Sequence, residues 1–277
     1  MIKVIKSGFY TTVQDKGRYH YRHLGVPTGG VMDRFALDIA NKMVQNIPDA
    51  AVLEITMTGP KLHFNTSARI AITGAYMSPY LNDIPLFNYE PYEVHPGDHL
   101  SFGKLIKGFR TYLAVSGGIE TQTVLGSRSF AKNITGQLVL KAGDELPLGT
   151  RQSIHGLKTV IDDSYLDSEI LTVFPGPEFH KLPDEQKRTL FNMRFTVAKE
   201  NNRMAYQLTE VLPPNTFSMI TSATLPGTVQ LTPSGKLIIL MRDGQTTGGY
   251  PRILQLSEAS VSKLAQKKTG DRLKLQQ

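Results

Sequence analysis

Short apolar segments separated by glycine and proline dominate the pattern of this sequence. Within the segments β-branched and aromatic residues prevail, and turn-forming residues follow them. The predicted strands lie at 9–15, 69–76, 98–103, 109–117, 170–176, 194–199 and 236–241. Short strands at this spacing are typical of β-barrels and β-sandwiches.

A Gly-Asp-x-Leu tetrapeptide occurs at 97–100 and again at 143–146. Glycine and aspartate favour turns, and a second glycine follows in both copies, at Gly103 and Gly149. The repetition predicts a turn-plus-strand unit that the fold uses more than once.

A few amphipathic segments predict helices. One has apolar residues at three- and four-residue spacing, one begins with proline and two acids, and one has Ser257 as its predicted N-cap. The predicted helices lie at 32–46, 183–191 and 257–268. Because long helices do not alternate with the strands, we do not expect a Rossmann-type parallel sheet.

The polar stretch from Gly149 to Ser168 is the best candidate for a domain boundary. We therefore predict a mainly β chain of two β-barrel domains with a few short helices. The N-terminal domain is predicted at 1–150, a linker at 151–168 and the C-terminal domain at 169–277.

Composition narrows the possible functions. The chain has 277 residues, no cysteine and a formal net charge of +7. Disulfides, thiolate metal sites and a cysteine nucleophile are therefore excluded. The basic residues are scattered singly, which argues against a nucleic-acid partner. No apolar run approaches the roughly 20 residues of a membrane span, and we expect a cytoplasmic protein without a membrane partner.

The block at 11–33 concentrates polar side chains and then glycines ahead of the first predicted helix. Glycines at that position can leave backbone N–H groups available for a carboxylate or phosphate. A loop with caps and surface charges explains the same composition, and the residues alone leave both interpretations open. The candidate residues of this block are Gln14, Asp15, Arg18, His23 and Gly29.

The loop after the predicted strand 236–241 is richer in polar groups than a tight corner requires. Its adjacent glycines permit close approach of a ligand, and its amide and hydroxyl side chains suit amide or carbonyl groups. Asp243 is either a base or the partner of an arginine, and Tyr250 either stacks on a substrate or donates its hydroxyl. The candidate residues are Asp243, Gln245, Thr246, Thr247, Gly248, Gly249 and Tyr250.

No metal site is predicted. His95 and His99 are four residues apart, but the intervening Pro96-Gly97 excludes a shared helix face. Zinc-protease, serine-hydrolase and P-loop motifs are absent from the sequence. Arg203 could pair with an anion, although a single arginine usually lies on the surface.

Together these blocks resemble the KipA-type proteins, also called the allophanate hydrolase subunit 2 or biotin-dependent carboxyltransferase-like family. The similarity lies in TTVQDKGRYHYRHLGVPTGGVMD (11–33), AAVLEITMTGP (50–60), FPGPE (174–178), NNRMAYQL (201–208) and DGQTTGGYPRI (243–253). The resemblance implies cyclophilin-like β-barrels and a KipI-type partner subunit (allophanate hydrolase subunit 1). Some members of the family form an ATP-dependent 5-oxoprolinase, and similarity to those members also implies a third subunit, of the LamB/YcsF type.

The resemblance to those members implies that a cyclic amide, 5-oxoproline, is opened to glutamate at the expense of ATP. ATP is then needed by the complex and not necessarily bound by this chain. The expected catalytic residues are Asp15, Asp243, Gln245 and Tyr250. The expected substrate-binding residues are Gln14, Arg18, His23, Gly29, Arg203, Thr246, Thr247, Gly248 and Gly249.

Two positions depart from the family pattern. Ala223 stands where an acidic residue is expected, and Gly244 stands where an arginine is expected. Two other functions stay open: a carboxyltransferase component of a biotin-dependent urea or amide carboxylase, and a non-enzymatic antagonist of a KipI-type kinase inhibitor. The Met-Lys-Met biotinylation motif is absent, so we expect no biotin attachment site in this chain.

Overall fold

The computed structural model describes residues 1–150 and 161–277, which form two compact units. The first unit comprises Met1–Arg18 and Asp33–Leu166, and the second comprises Tyr19–Met32 and Asp167–Gln277. Residues 151–160 of the predicted linker lie outside the described residues.

The first unit contains a six-stranded sheet in the order β11-β1-β4-β9-β6-β7 and a five-stranded sheet in the order β2-β3-β10-β5-β8. Side chains alternate along the strands, so that Ile2 and Val4 are buried while Lys3 is exposed. Helix α1 packs on β5 and β10. The elements are β1 (Ile2–Lys6), β2 (Tyr10–Gln14), α1 (Arg34–Met43), β3 (Val52–Thr56), β4 (Lys61–Phe64), β5 (Ala68–Tyr76), β6 (Pro79–Leu81), β7 (Ile84–Pro85), β8 (Pro91–Val94), β9 (His99–Phe102), β10 (Lys107–Val115) and β11 (Glu145–Leu146).

The second unit is a closed barrel in the order β12-β19-β16-β17-β14-β13-β20, accompanied by a two-stranded ribbon, β15–β18. Strands β12 and β20 pair in parallel, and the other described pairs are antiparallel. The elements are β12 (Ile170–Pro175), α2 (Asp184–Asn192), β13 (Arg194–Asn201), β14 (Ala205–Val211), β15 (Ser222–Ala223), β16 (Thr228–Leu231), β17 (Lys236–Leu240), β18 (Thr247–Gly248), β19 (Arg252–Leu256), α3 (Glu258–Ala265) and β20 (Arg272–Gln276).

Residues 19–32 belong to the second unit, although the sequence prediction placed the whole 11–33 block in the first domain. Met32 is fully buried in the barrel core, and the carbonyl of Gly30 accepts a hydrogen bond from Arg203 at 2.6 Å. The block is therefore divided after Arg18. The sequence pattern gave no sign of this division, because the partners of 19–32 lie far along the chain.

The repeated Gly-Asp-x-Leu sequence forms the same turn at each occurrence. In each copy the aspartate side chain accepts a hydrogen bond from the backbone N–H three residues before it, and the glycine has a positive φ. A third copy, Gly270–Leu273, precedes β20 in the second unit and makes the same contact. The N–H···O distances are 2.7 Å for His95–Asp98, 2.7 Å for Lys141–Asp144 and 2.9 Å for Lys268–Asp271.

The prediction of a mainly β chain with a few short helices is confirmed. The closed barrel lies in the second unit, whereas the first unit is built from two sheets. Asp33 and Ser257 cap α1 and α3 with their side-chain oxygens. Within the described ranges, no helix has the length and apolar character needed to cross a membrane.

Candidate functional site

Asp243 is held by Arg203 in the second unit. Nε of Arg203 donates to Oδ2 at 2.8 Å, and Nη2 donates to Oδ1 at 2.9 Å. Both carboxylate oxygens thus take part in a bidentate ion pair with an arginine whose side chain is 8% exposed. This geometry favours the arginine-holding role for Asp243 and disfavours the base role, and it commits Arg203 to a partner within its own unit.

The two adjacent glycines of the loop serve different purposes. A Cβ built on Gly248 would lie 2.4 Å from Nε2 of Gln230, so the amide of Gln230 fills the space that a side chain would need. A Cβ on Gly249 would have only Thr221 Oγ1 within 4 Å, at 3.9 Å. Gly248 is therefore explained by internal packing, and Gly249 borders open space.

A chain of amide groups runs beneath this loop. Nε2 of the buried Gln230 donates to the carbonyl of Tyr250 at 3.4 Å, and its Oε1 accepts from Nε2 of Gln245 at 3.3 Å. The hydroxyl of Thr224 donates to the carbonyl of Gln245 at 2.6 Å, and its N–H donates to the carbonyl of Thr246 at 3.0 Å. Gln245 and Tyr250 remain exposed at the surface of this network.

Arg22 is one of the residues at this loop that the sequence analysis missed, together with Thr224 and Gln230. Its Nη2 donates to the carbonyl of Thr224, and its Nη1 lies 3.4 Å from Oγ1 of Thr28. Arg22 is half-buried, and the partial loss of water around its guanidinium lowers its pKa. Arg22 stood within the 11–33 block, but nothing in its local sequence distinguished it from neighbouring surface charges.

An ion pair between Glu178 and Arg252 supports the ribbon β15–β18. Glu178 binds Arg252 through both carboxylate oxygens, at 2.8 and 2.9 Å, and Nη1 of Arg252 donates to the carbonyl of Ala223 at 2.6 Å. The hydrogen bonds from Arg252 hold the pKa of Glu178 below its ordinary value. Since Ala223 pairs with Thr247 across the ribbon, this ion pair positions one edge of the loop.

The predicted residues Gln14, Asp15 and Arg18 lie in the first unit. Asp15 accepts four hydrogen bonds, from the hydroxyls of Ser127 and Ser129 and from the backbone N–H groups of Gly17 and Arg128, all between 2.6 and 2.8 Å. A buried carboxylate with all these partners organises its loop, and this environment disfavours the catalytic role that we expected for Asp15.

Gln14 and Arg18 also bind their own unit. Nε2 of Gln14 donates to the carbonyl of Phe130 at 3.2 Å, and Arg18 donates to the carbonyls of Val124 and Ser129 at 3.1 and 2.5 Å. These contacts tie β2 and the following turn to the segment 124–130. They support structural roles in place of the substrate contacts that we predicted.

His23 and Gly29 lie in the second unit. His23 is exposed on a short 3-10 helix, Arg22–Leu24. The N–H of Gly29 donates to the carbonyl of Arg242 at 2.9 Å, so it is engaged by the protein and not held ready for an anion as predicted. The candidate site is therefore the second-unit loop with Arg22, Thr224 and Gln230, and among the described residues no cluster of histidine and carboxylate side chains could hold a metal ion.

Fold and site together define a mainly β protein in which a loop of amide and hydroxyl groups, with an arginine beside it, forms the candidate binding surface. The chain belongs to the family of the carboxyltransferase domain, subdomains A and B, whose model matches residues 24–277. It is 36% identical to a 5-oxoprolinase subunit of Escherichia coli (strain K12), over 96% of this chain and 87% of that protein.

Larger proteins contain the same module. The chain is 31% identical to the urea amidolyase of Saccharomyces cerevisiae, over 98% of this chain but 16% of that protein. Among solved structures, TTHA0988 superimposes with a TM-score of 0.91 at 27% identity, and this chain spans 55% of it. The Kluyveromyces lactis urea carboxylase superimposes with a TM-score of 0.90 at 30% identity, and this chain spans 27% of it.

Proposed function

We propose that this chain is a non-autonomous subunit of an ATP-dependent 5-oxoprolinase. In this role it opens the lactam of 5-oxoproline to glutamate together with a KipI-type and a LamB/YcsF-type partner subunit. The similarity to two relatives named as 5-oxoprolinase subunits, from Escherichia coli and Haemophilus influenzae, supports the proposal. The matches span 87% and 91% of those relatives.

The observation that carries the proposal is the pairing of Arg22 with the amide-bearing loop in one unit. Arg22 and the loop share Thr224 as a hydrogen-bond partner. 5-Oxoproline carries a lactam and a carboxylate on the same small ring. A partly desolvated guanidinium suits the carboxylate, and the carboxamide of Gln245 suits the lactam.

Hydrolysis of an unstrained lactam needs activation, because amide resonance stabilises the ring. Transfer of the ATP γ-phosphoryl group to the lactam oxygen creates a phosphate leaving group, after which water adds to the ring carbon. The carbon–nitrogen bond then breaks as the nitrogen gains a proton, which gives γ-glutamyl phosphate. A second water hydrolyses this acyl phosphate to glutamate and phosphate, and ADP has already been released at the phosphoryl-transfer step. Asp15 and Asp243 are engaged by other groups, so we assign binding and orientation of the substrate to this chain and the base to a partner subunit.

A carboxyltransferase acting on urea is the second candidate. The family model and the relatives named urea amidolyase and urea carboxylase favour it. Biotin would then arrive on a separate carrier. Urea itself has no carboxylate, however, so Arg22 could serve that reaction only at the carboxyl group being transferred.

The proposal is tested by reconstitution. The chain is mixed with its KipI-type and LamB/YcsF-type partners, and 5-oxoproline-dependent release of ADP and glutamate is measured. We expect activity only with all three subunits, and Arg22→Ala should raise KM for 5-oxoproline at least about tenfold through loss of a charged hydrogen bond. Arg188→Ala, which removes an exposed arginine on α2, is the matched control and should behave as wild type.

Each other outcome contradicts a part of the proposal. Inactivity of the complete mixture of all three subunits would rule out the 5-oxoprolinase assignment. Turnover that requires bicarbonate and a biotinylated carrier would favour the carboxyltransferase. A wild-type KM in Arg22→Ala would remove Arg22 from the site.

A further inference from the structure

Gln230 is a buried amide at the base of the candidate loop. Its side chain is 1% exposed and occupies the space left by the missing side chain of Gly248. Burial of a full carboxamide is unfavourable unless its polar atoms are hydrogen-bonded. Its two partners are the carbonyl of Tyr250 and the carboxamide of Gln245.

The carbonyl of Tyr250 fixes the orientation of both amides. A backbone carbonyl can only accept, so the NH₂ group of Gln230 must face Tyr250. Oε1 of Gln230 then faces Gln245, and Gln245 must direct one N–H toward it. The direction of hydrogen bonding is thus set from the backbone outward, through Gln230, to the exposed Gln245.

Gln245 keeps most of its hydrogen-bonding capacity for another group. One N–H donates to Gln230, while Oε1 and the second N–H have no partner among the described residues, and the side chain is exposed. When the N–H trans to Oε1 is the one that donates to Gln230, the second N–H lies on the same side as Oε1. Gln245 can therefore offer an acceptor and a donor side by side, in a plane that Gln230 holds.

This pair of groups matches a cis amide edge. In a lactam the ring forces the N–H and the C=O onto the same side, and urea also has an N–H beside its C=O. Ordinary secondary amides such as peptide bonds are trans and present these groups on opposite sides. A primary carboxamide can thus bind a lactam or a urea through two parallel hydrogen bonds, and a trans amide through only one.

We propose that Gln245 recognises the cis amide edge of the substrate and that Gln230 is the positioning residue that orients it. The inference rests on the proposed function for the identity of the substrate, since it assigns the amide-binding part of the same site. It also defines the substrate class: cyclic amides and ureas with a free N–H.

The probes are 2-pyrrolidinone, N-methyl-2-pyrrolidinone and urea. The two lactams have the same ring, but the methyl group removes the donor of the cis edge. Binding to the full chain is measured by NMR titration, and inhibition of 5-oxoproline turnover is measured on the complex of all three proteins. We expect 2-pyrrolidinone to bind at least about tenfold more tightly than its N-methyl analogue, and urea to compete with it.

Variants separate recognition from positioning. Gln245→Leu should abolish the discrimination between the two lactams. Gln230→Leu, with Gln245 intact, should reduce it at least about threefold and raise KM for 5-oxoproline with little change in kcat. Gln276→Leu removes an exposed amide on β20 and serves as the matched control, with unchanged discrimination.

The outcomes distinguish this inference from the function on which it rests. Discrimination by the chain alongside an inactive assembled complex would support the amide site and reject 5-oxoprolinase activity. Equal affinity for the two lactams in an active complex would overturn the amide site alone. Unchanged discrimination in Gln245→Leu, or absence of lactam binding to both chain and complex, would also overturn it.

Discussion

The role of a charged side chain in this protein follows from its partners and not from its residue type. Asp15 and Asp243 were both expected to be catalytic, yet Asp15 binds serine hydroxyls and backbone N–H groups, and Asp243 binds Arg203, the alternative that its sequence context had left open. Arg22 was not singled out in the sequence, yet it donates a hydrogen bond to the carbonyl of Thr224. Chemistry at the loop is thus left to neutral amide and hydroxyl groups and one cation.

The Arg203–Asp243 pair predicts a stability effect. Asp243→Asn leaves a largely buried guanidinium without its counter-charge and should lower the free energy of unfolding by about 3 kcal/mol. Chemical denaturation measures this change. The control is Asp184→Asn, which breaks an exposed pair with Lys187 and should leave the midpoint unchanged. Equal midpoints for the two variants would contradict a structural role for Asp243.

The adjacent glycines provide a matched pair of substitutions. Gly248→Ala forces the amide of Gln230 to move and should destabilise the protein by about 1–2 kcal/mol. Gly249→Ala enters open space and should change stability by less than about 0.5 kcal/mol. Thermal denaturation measures the stability of both variants. A larger loss of stability in Gly249→Ala than in Gly248→Ala would show that packing against Gln230 does not explain the glycine at position 248.

The sequence was sufficient to locate the loop but not to assign its residues. The density of polar groups and glycines marked 243–250, and the resemblance connected it with 11–33. Roles could not be assigned because they depend on partners far along the chain: Arg22 and Thr224 are separated by 202 positions. Gln230 escaped notice for the same reason, since it sits in a strand and its amide meets the loop only in the folded barrel.

At the scale of elements, the ion pair beneath the ribbon β15–β18 predicts a dependence on pH. The folded-state pKa of Glu178 is lowered by Arg252, so its stabilising contribution is complete above the unfolded pKa of about 4.3 and disappears as pH falls through the lower folded value. The stability difference between wild type and Glu178→Gln should therefore be largest near neutral pH. Denaturation at a series of pH values measures it.

A different pH dependence would contradict the role of the Glu178 charge. A difference between wild type and Glu178→Gln that stays constant from neutral pH down to pH ~3 would mean that the charge of Glu178 contributes nothing to the ribbon. Glu200→Gln is the control, because the carboxylate of Glu200 forms a pair at 3.8 Å with Lys199, whose side chain is 85% exposed.

Elements with a clear local signal were predicted, and those without one were not. The predicted helix at 257–268 is confirmed as Glu258–Ala265 with Ser257 as its N-cap, and the predicted strand at 236–241 is confirmed as Lys236–Leu240. Strand β16 was missed although its sequence, Thr-Val-Gln-Leu, alternates polar and apolar residues, because a run of four residues is at the lower limit of a recognisable strand pattern. The two-residue strands of the ribbon are too short to leave any pattern.

At the scale of the whole molecule, the second unit is discontinuous, and a fragment experiment tests this. Residues 167–277 alone lack Met32, a buried part of the barrel core, and the Gly30 carbonyl that binds Arg203. Joining 19–32 to this fragment through a flexible linker should raise its stability by at least about 2 kcal/mol. The same fusion with Met32→Ser is the control, and equal denaturation midpoints for all three fragments would show that 19–32 contributes nothing.

Because the second unit is discontinuous, its two segments are synthesised at different times. Residues 19–32 leave the ribosome early, but β20, which joins β12 to β13 and closes the barrel, is made roughly 240 residues later. At typical rates of translation this interval lasts about 12–50 s. During that time residues 19–32, which end in apolar Val31 and Met32, must persist without the barrel that binds them. Chaperone contact and the codon usage between residue 32 and β20 should therefore affect the yield of folded protein. The effect should be larger than for a barrel made from one continuous stretch of chain.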